Sequence, residues 1–378
     1  MAQIAQRILD QRNSSLRPPL GAVPAGAVSL ALGEPDFPAP PAVQQAAIDA
    51  IAAGNTHYTD QHGIVELRRA VLKALPGPDQ GWGVDNVVIT HGATAGLGAT
   101  FFALLNPGDR VVIPEPAYSL YADQVTLAGG IVDYVPLGED LHFDFAALEQ
   151  ALPGARMLVF SNPSNPNGVV HTRNELSRLA ELLEGSETLV IADEAYSSLV
   201  LSETPFVSAL EVDGLADRTL YVQTMSKKYC MTGWRVGYVA GDEDLIAAIS
   251  QFHRTFNGSV SEPAQLAALA AFDVPEHELA GMREEYLGRR DFLVAELAEI
   301  PHIRAVTPTG AFYCFFSYDI PTPSAKIAAD LGQRGVVVRA GAEYGPHAEG
   351  HIRLSFAASM EDLQRGLAII RDYFTALP

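Results

Sequence analysis

The stretch Ser226 to Arg235 reads SKKYCMTGWR. A neutral lysine amine can attack a carbonyl carbon or take a proton from carbon. Here two candidates stand side by side, Lys227 and Lys228, although adjacent lysines are ordinarily a solvated corner. Other reactive types recur at comparable places. Asp193 closes TLVIAD, Tyr196 follows it in DEAY, Asn165 lies between prolines in NPSNPNG, Tyr118 stands in EPAYSLY, and Thr94 ends HGAT. Each has a plainer reading when taken alone. Asp193 could cap a helix, Tyr118 and Tyr121 could be core aromatics, Asn165 could satisfy a turn, and Arg353 could lie on the surface. Their meaning depends on the elements that carry them.

From about residue 86, short β-branched runs alternate with helical segments. The runs are 87–90, 110–114, 131–136, 157–161, 188–193, 219–224 and 236–241. Several are apolar nearly throughout, as strands covered on both faces are. HTRNELSRLAELLEG between two of them carries a capping box, Thr172 with Glu175, ahead of a leucine stripe. Such alternation predicts an α/β fold with a mostly parallel central sheet flanked by helices. Two helices precede it: one enters after Pro41 and leaves at Gly54, the other carries Leu67, Val71, Leu72 and Leu75. GWG at 81–83 opens no helix and reads as a loop. After about residue 280, a charged helix, AFYCFFSY, GVVVRA and a terminal helix predict a smaller α+β domain. The division expected is 45–280 for the large domain, and 1–44 with 281–378 for the small one.

Bulk properties narrow the function. The chain has 378 residues, 48% of them apolar, and a net charge of −20. It exceeds the ~250–300 residues at which one core stops growing. The acidic balance argues against a nucleic-acid partner. No apolar run reaches the ~18 residues of a membrane span, and the N-terminus lacks the apolar run of a signal peptide. Cys230 and Cys314 make no disulfide framework or metal motif; both read as buried small residues of a cytoplasmic protein, and no metal is expected. His57, His62 and His91 read as structural.

In a doubly wound sheet, ligands bind beyond the carboxyl ends of the strands. The residues there are Thr94, Tyr118, Asn165, Asp193, Tyr196 and a lysine, which together match the needs of pyridoxal 5'-phosphate. That cofactor is an electron sink held by a lysine. Its phosphate suits the backbone of Gly92, Ala93 and Thr94, where a helix 94–105 begins. Its ring suits Tyr118, and its pyridine nitrogen suits the Asp193 carboxylate. Asn165 and Tyr196 suit its phenolic oxygen.

With LGEPDF, HYTDQHGIVELR, ITHGAT, GAFY and HIRLSF, these motifs run nearly the length of the chain. The sequence resembles the class I/II aminotransferases of fold type I, in the bacterial aspartate-aminotransferase-like branch. The resemblance implies an enzyme of amino acid metabolism that moves an amino group between an L-amino acid and a 2-oxo acid. It selects Lys227, eight residues before Arg235, as the catalytic lysine that carries the cofactor, and leaves Lys228 structural. Asp193 and Tyr196 join it as catalytic residues. It implies cofactor binding by Thr224, Ser226 and Arg235, and by Tyr58 reached across a homodimer interface. It implies substrate binding by Arg353, Asn165 and Gly33. Two departures bear on the substrate. GATA stands where aspartate-specific members often carry GGKQ, and VRAG (338–341) carries Arg339, which either reads a polar or acidic side chain or ends a strand in solvent. A β-lyase, a racemase, a cyclase of an unusual amino acid, or a non-catalytic cofactor-binding module would keep the same residues.

Overall fold

The structure is a computed structural model that describes residues 4–9 and 23–377. The remaining residues of the expected 1–44 segment lie outside the described residues. In chain order the strands are β1 Val28–Ser29, β2 Val87–Thr90, β3 Arg110–Glu115, β4 Ile131–Pro136, β5 Met157–Ser161, β6 Leu189–Asp193 and β7 Thr219–Thr224. They continue with β8 Gly237–Ala240, β9 Ile303–Ala305, β10 Tyr313–Tyr318, β11 Val336–Val337, β12 Arg339–Ala340 and β13 His351–Ser355.

Seven strands form one sheet in the order β2-β8-β7-β6-β5-β3-β4. Only β8 runs antiparallel to its neighbours. The α/β expectation therefore holds, with one reversed strand. Every residue of β2, β5 and β8 is buried, which is why these runs lack polar alternation. Helices cover both faces. Gly92–Leu104 and Glu243–Asn257 pack on one side with Val88, Val159 and Val222. Arg173–Leu182 packs on the other with Leu158, Val190 and Ala192. The capping box on Arg173–Leu182 is present: the Thr172 hydroxyl accepts from the Glu175 amide at 3.3 Å, and Glu175 accepts from the Thr172 amide at 2.7 Å. The helix expected over 94–105 starts two residues earlier, at Gly92, which sits at φ +76.

A second sheet, β12-β13-β10-β9, is antiparallel. It packs with the helices Glu276–Ala298 and Met360–Thr375 around Phe312, Phe316, Phe356 and Phe374. GVVVRA does not form one strand. Val336–Val337 pairs in parallel with Val28–Ser29, and Arg339–Ala340 turns to pair with β13. Val28 and Leu30 thereby join this second core, while Val43 and Ala47 of the helix Pro41–Ala52 pack in the first. The helix Glu276–Ala298 serves both cores, with Leu279 in one and Tyr286, Leu293 and Leu297 in the other.

Among the described residues no helix is long and apolar enough to cross a membrane. Cys314 is buried as expected, but Cys230 is only half-buried. Cys230 sits at φ +53 in the bend after Lys228, with its thiol 3.4 Å from the Met282 sulfur. Burial pushes that thiol up to about 11, so it stays protonated at neutral pH.

Candidate active site

The carboxyl ends of β2, β3, β5, β6 and β7 share one rim, and a cavity of about 200 Å3 opens there. Its lining includes Gly33, Ala93, Thr94, Tyr118, Asn165, Asp193, Tyr196, Thr224, Ser226, Lys227, Arg235 and Arg353. The residues expected to bind the cofactor or substrate or to act in catalysis all line it except Tyr58. That tyrosine is 98% exposed and borders a separate open hollow with His57, His91 and Glu262.

The connection between β7 and β8 carries the lysine. Thr224 ends β7 and caps the short helix Met225–Lys228, accepting from the Ser226 amide at 3.1 Å. Its hydroxyl also meets the Ser226 hydroxyl at 2.8 Å. This cap turns the Lys227 side chain into the cavity, where its amine donates to the Gly33 carbonyl at 2.6 Å. Burial, opposed in part by Glu34, lowers the lysine to about 8. About a tenth of the amines are therefore neutral at pH 7, far more than for an exposed lysine. Lys228 points away, 3.5 Å from Glu276, and is about a third exposed.

One end of the cavity is made for an anion. The helix Gly92–Leu104 begins there with uncapped amides, close to the Thr224 and Ser226 hydroxyls and to Arg235. Arg235 holds φ +55 and donates to Thr232 O at 2.8 Å and His91 O at 3.4 Å. A Cβ at Gly92 would collide with its guanidinium, and one at Gly237 would collide with the Ala93 amide. Both glycines let the turn and the arginine come together.

The opposite end is acidic. Asp193 is buried, and desolvation raises its carboxyl above the ordinary aspartate range. It accepts from the Tyr121 hydroxyl at 2.6 Å and the Ala195 amide at 3.2 Å, and Lys227 lies near enough to favour its charge. A buried carboxylate so held favours a cationic ring nitrogen as its partner. Tyr118, edge-on to Tyr121 at 5.5 Å, borders the space between the two ends. An anion cradle, a flat wall, a carboxylate and a partly neutral amine fit pyridoxal phosphate as a set.

Arg353 enters from β13. It is 4% exposed, donates to Asn165 Oδ1 at 3.0 Å and Ala31 O at 2.5 Å, and lies over the rings of Tyr313 and Tyr344 at 4.3 and 5.1 Å. Its Nε has no hydrogen-bond partner among the described residues. A buried guanidinium with an unused donor suits a carboxylate ligand.

Two residues had escaped sequence reasoning. Tyr121, read as core, is core by burial yet also holds Asp193. Tyr313 meets the Tyr196 hydroxyl at 2.7 Å and fills the space beside Gly33. Helical or strand periodicity assigns both to the interior and carries no trace of their hydroxyls. Of the two alternatives for Arg339, the strand end in solvent does not hold. It is buried rather than solvent-exposed, does not line the cavity, and pairs with Glu343 at 3.0 Å. His91 packs against His253 at 3.2 Å, and burial lowers both imidazoles. Among the described residues one group could offer three metal-ligand atoms, His142, His171 and Glu175. It lies outside this cavity, and Glu175 is already engaged by both imidazoles and by the helix cap.

The family model for aminotransferase class I and II matches residues 25–370. The chain belongs to the class I and II aminotransferases. The arginine–pyruvate transaminase of Pseudomonas aeruginosa is 37% identical over 89% of this chain and 86% of its own. The aspartate/prephenate aminotransferase of Cereibacter sphaeroides is 36% identical over 95% of this chain and 94% of its own. The solved aspartate aminotransferase of Thermotoga maritima superposes with a TM-score of 0.86 at 34% identity, covering 93% of this chain and 92% of that one. The protein is an enzyme of the transaminase type and has fold type I.

Proposed function

We propose that the chain binds pyridoxal 5'-phosphate on Lys227 and transfers the amino group of an L-amino acid to a 2-oxo acid. The observation that carries this reading is the half-buried Lys227 amine, lowered to about 8, in one cavity with an anion cradle, a buried aspartate and a buried arginine. The phosphate would be held by Ala93, Thr94, Thr224, Ser226 and Arg235, and the ring by Tyr118 and Asp193. Asn165 and Tyr196 would face its oxygen. When bound, the cofactor supplies an aldehyde that takes up the amino group and a ring that draws electrons from the amino acid's Cα.

The protein's own residues do the rest. Arg353 grips the α-carboxylate, and Asn165, bonded to it, fixes the angle of the guanidinium. Gly33 bounds the same end of the cavity, its carbonyl on the Lys227 amine. With its amine free and partly neutral, Lys227 would act as the base that takes the proton from Cα and as the acid that returns one. Burial raises the Asp193 carboxyl, and Tyr121, the Ala195 amide and Lys227 oppose that by favouring its charged form. Tyr196 and Tyr313, joined hydroxyl to hydroxyl, wall the site against water. The lining cations within this chain are Lys227, Arg235 and Arg353 among the described residues. With Arg339 paired to Glu343, one chain leaves no lining cation over for a second carboxylate among the described residues, which favours a donor without an acidic side chain unless the neighbouring subunit supplies a cation.

The same reading includes a homodimer in which Tyr58 completes a neighbour's phosphate site, supported by its near-complete exposure in one chain. It includes a large and a small domain, supported by the two cores; the expected division at 45–280 and 1–44 with 281–378 falls inside the helices Pro41–Ala52 and Glu276–Ala298, which run across both bounds. A cytoplasmic location accords with two free thiols.

Borohydride reduction of the holoenzyme followed by peptide mass analysis tests the assignment. The cofactor mass is expected on Lys227. The same mass on Lys228, or on neither lysine, overturns it.

A further inference from the structure

Glu115 ends β3, three residues before Tyr118, and its side chain is fully buried. The carboxylate faces the loop that follows the 3-10 turn Gly341–Tyr344 in the four-stranded-sheet body. It accepts from the His347 amide at 3.1 Å and contacts the His347 ring nitrogen Nδ1. Gly345 stands at φ +145, and a Cβ there would occupy the position of the Glu115 carboxylate. The loop is therefore shaped around this one side chain.

Two further contacts link the junction to the pocket. The Ala117 amide donates to the Tyr344 carbonyl at 2.8 Å, beside Tyr118. The Tyr344 ring lies 5.1 Å from the Arg353 guanidinium. Leu141 and Val169 from the seven-stranded body pack with Phe315, Tyr344 and Ala348 from the other, which continues the contact as an apolar seam. One loop thus touches the end of the strand that leads to the ring-facing tyrosine and backs the carboxylate-binding arginine.

We propose that Glu115 is a positioning residue. Through His347 and Gly345 it latches the two sheet bodies together, and so fixes Arg353 relative to the wall formed by Tyr118. The proposal rests on the reading of the pocket given above. A fully buried carboxylate needs its donors, because losing them leaves a desolvated charge. The latch is therefore either made whole or released with entry of water, and Arg353 follows the loop in either case. His347 is 57% exposed, so water can replace it when the loop leaves.

The test uses holoenzyme of the wild type and of Glu115→Gln, His347→Ala and Gly345→Ala. Gly345→Ala changes no charge and displaces the loop by steric overlap with Glu115 and by the strain of a side chain at φ +145. The latch predicts that each variant raises KM for the amino acid and for the oxo acid about tenfold, the scale of a lost hydrogen bond to a charged group. Cofactor affinity and its absorbance stay unchanged, and amide exchange rises in residues 341–348. The Glu115→Gln, His347→Ala double variant is no worse than the worse single variant, because both act through one contact. Unchanged KM in all three variants, or an equal loss of stability with KM intact, overturns the latch. Failure of the wild type to transaminate would instead overturn the reading of the pocket; the exchange data on loop 341–348 judge the latch independently.

Discussion

Lys227 and Lys228 are neighbours in sequence and opposites in environment. One amine is inside the cavity, bonded to the Gly33 carbonyl and lowered to about 8. The other stands a third exposed beside Glu276 and the Tyr229 ring. The backbone between them is one residue of a four-residue helix. Successive helical residues point about 100° apart, so a single Thr224 cap decides which amine enters the cavity. The difference teaches that reactivity here is a property of desolvation and direction rather than of residue type.

The largest effect expected is on Lys227. Positioned acid–base groups contribute roughly 10²–10⁴-fold, and this lysine takes and gives the proton, so Lys227→Ala is expected to abolish turnover. Steady-state assay with the cofactor in excess checks this, and a variant that keeps a tenth of the rate contradicts it. Lys228→Ala is expected to stay within about threefold of wild type, because an exposed ion pair is worth only ~0–1 kcal/mol.

On the substrate side, Arg353→Ala removes charged hydrogen bonds worth roughly 1.5–3 kcal/mol, so kcat/KM for the amino acid should fall about 10- to 150-fold. Binding of a substrate analogue measured by calorimetry checks where the loss falls. Normal binding would place carboxylate recognition elsewhere.

Tyr121→Phe separates a core tyrosine from a working one. If only packing matters, the variant is nearly neutral. If the hydroxyl holds Asp193 in its charged form, the carboxyl rises further, because that hydrogen bond lowers it. The acidic limb of the pH–rate profile then moves to higher pH, and the rate at neutral pH falls about tenfold.

The smallest effect is on stability, and its sign follows from linkage. Lys227 titrates at about 8 when folded, below its ordinary 10.5. Burial therefore penalises the fold while the unfolded lysine is protonated. The penalty is full below about pH 8 and fades as pH rises toward 10.5. Cofactor-free Lys227→Met should be more stable than wild type at pH 7, with the gap closing across that window. Thermal unfolding of both proteins at several pH values checks it.

Much of this was legible in the sequence because the sheet puts chemistry at strand ends. Asp193 ends one apolar run and Asn165 follows another, so their place on one rim follows from the parallel topology, whereas Thr224 came only from the family resemblance. Tyr121 and Tyr313 were not legible, since burial and hydrogen bonding to the site coincide in them. The burial of Arg339 was not legible either. Its strand is two residues long and its ion pair lies four residues ahead, in a 3-10 turn that no periodicity marks. Glu115 was hidden for a similar reason: its partners lie 232 residues away, in a loop.

The central claim is that Lys227 and its cavity carry an amino group through a half-reaction. The direct test is an absorbance scan of the holoenzyme against single amino acids, with no oxo acid present. The account predicts that one class of L-amino acid, without an acidic side chain, converts the band of the lysine-bound cofactor to that of its amine form and yields one equivalent of 2-oxo acid. A lysine-bound band that persists with every amino acid contradicts it.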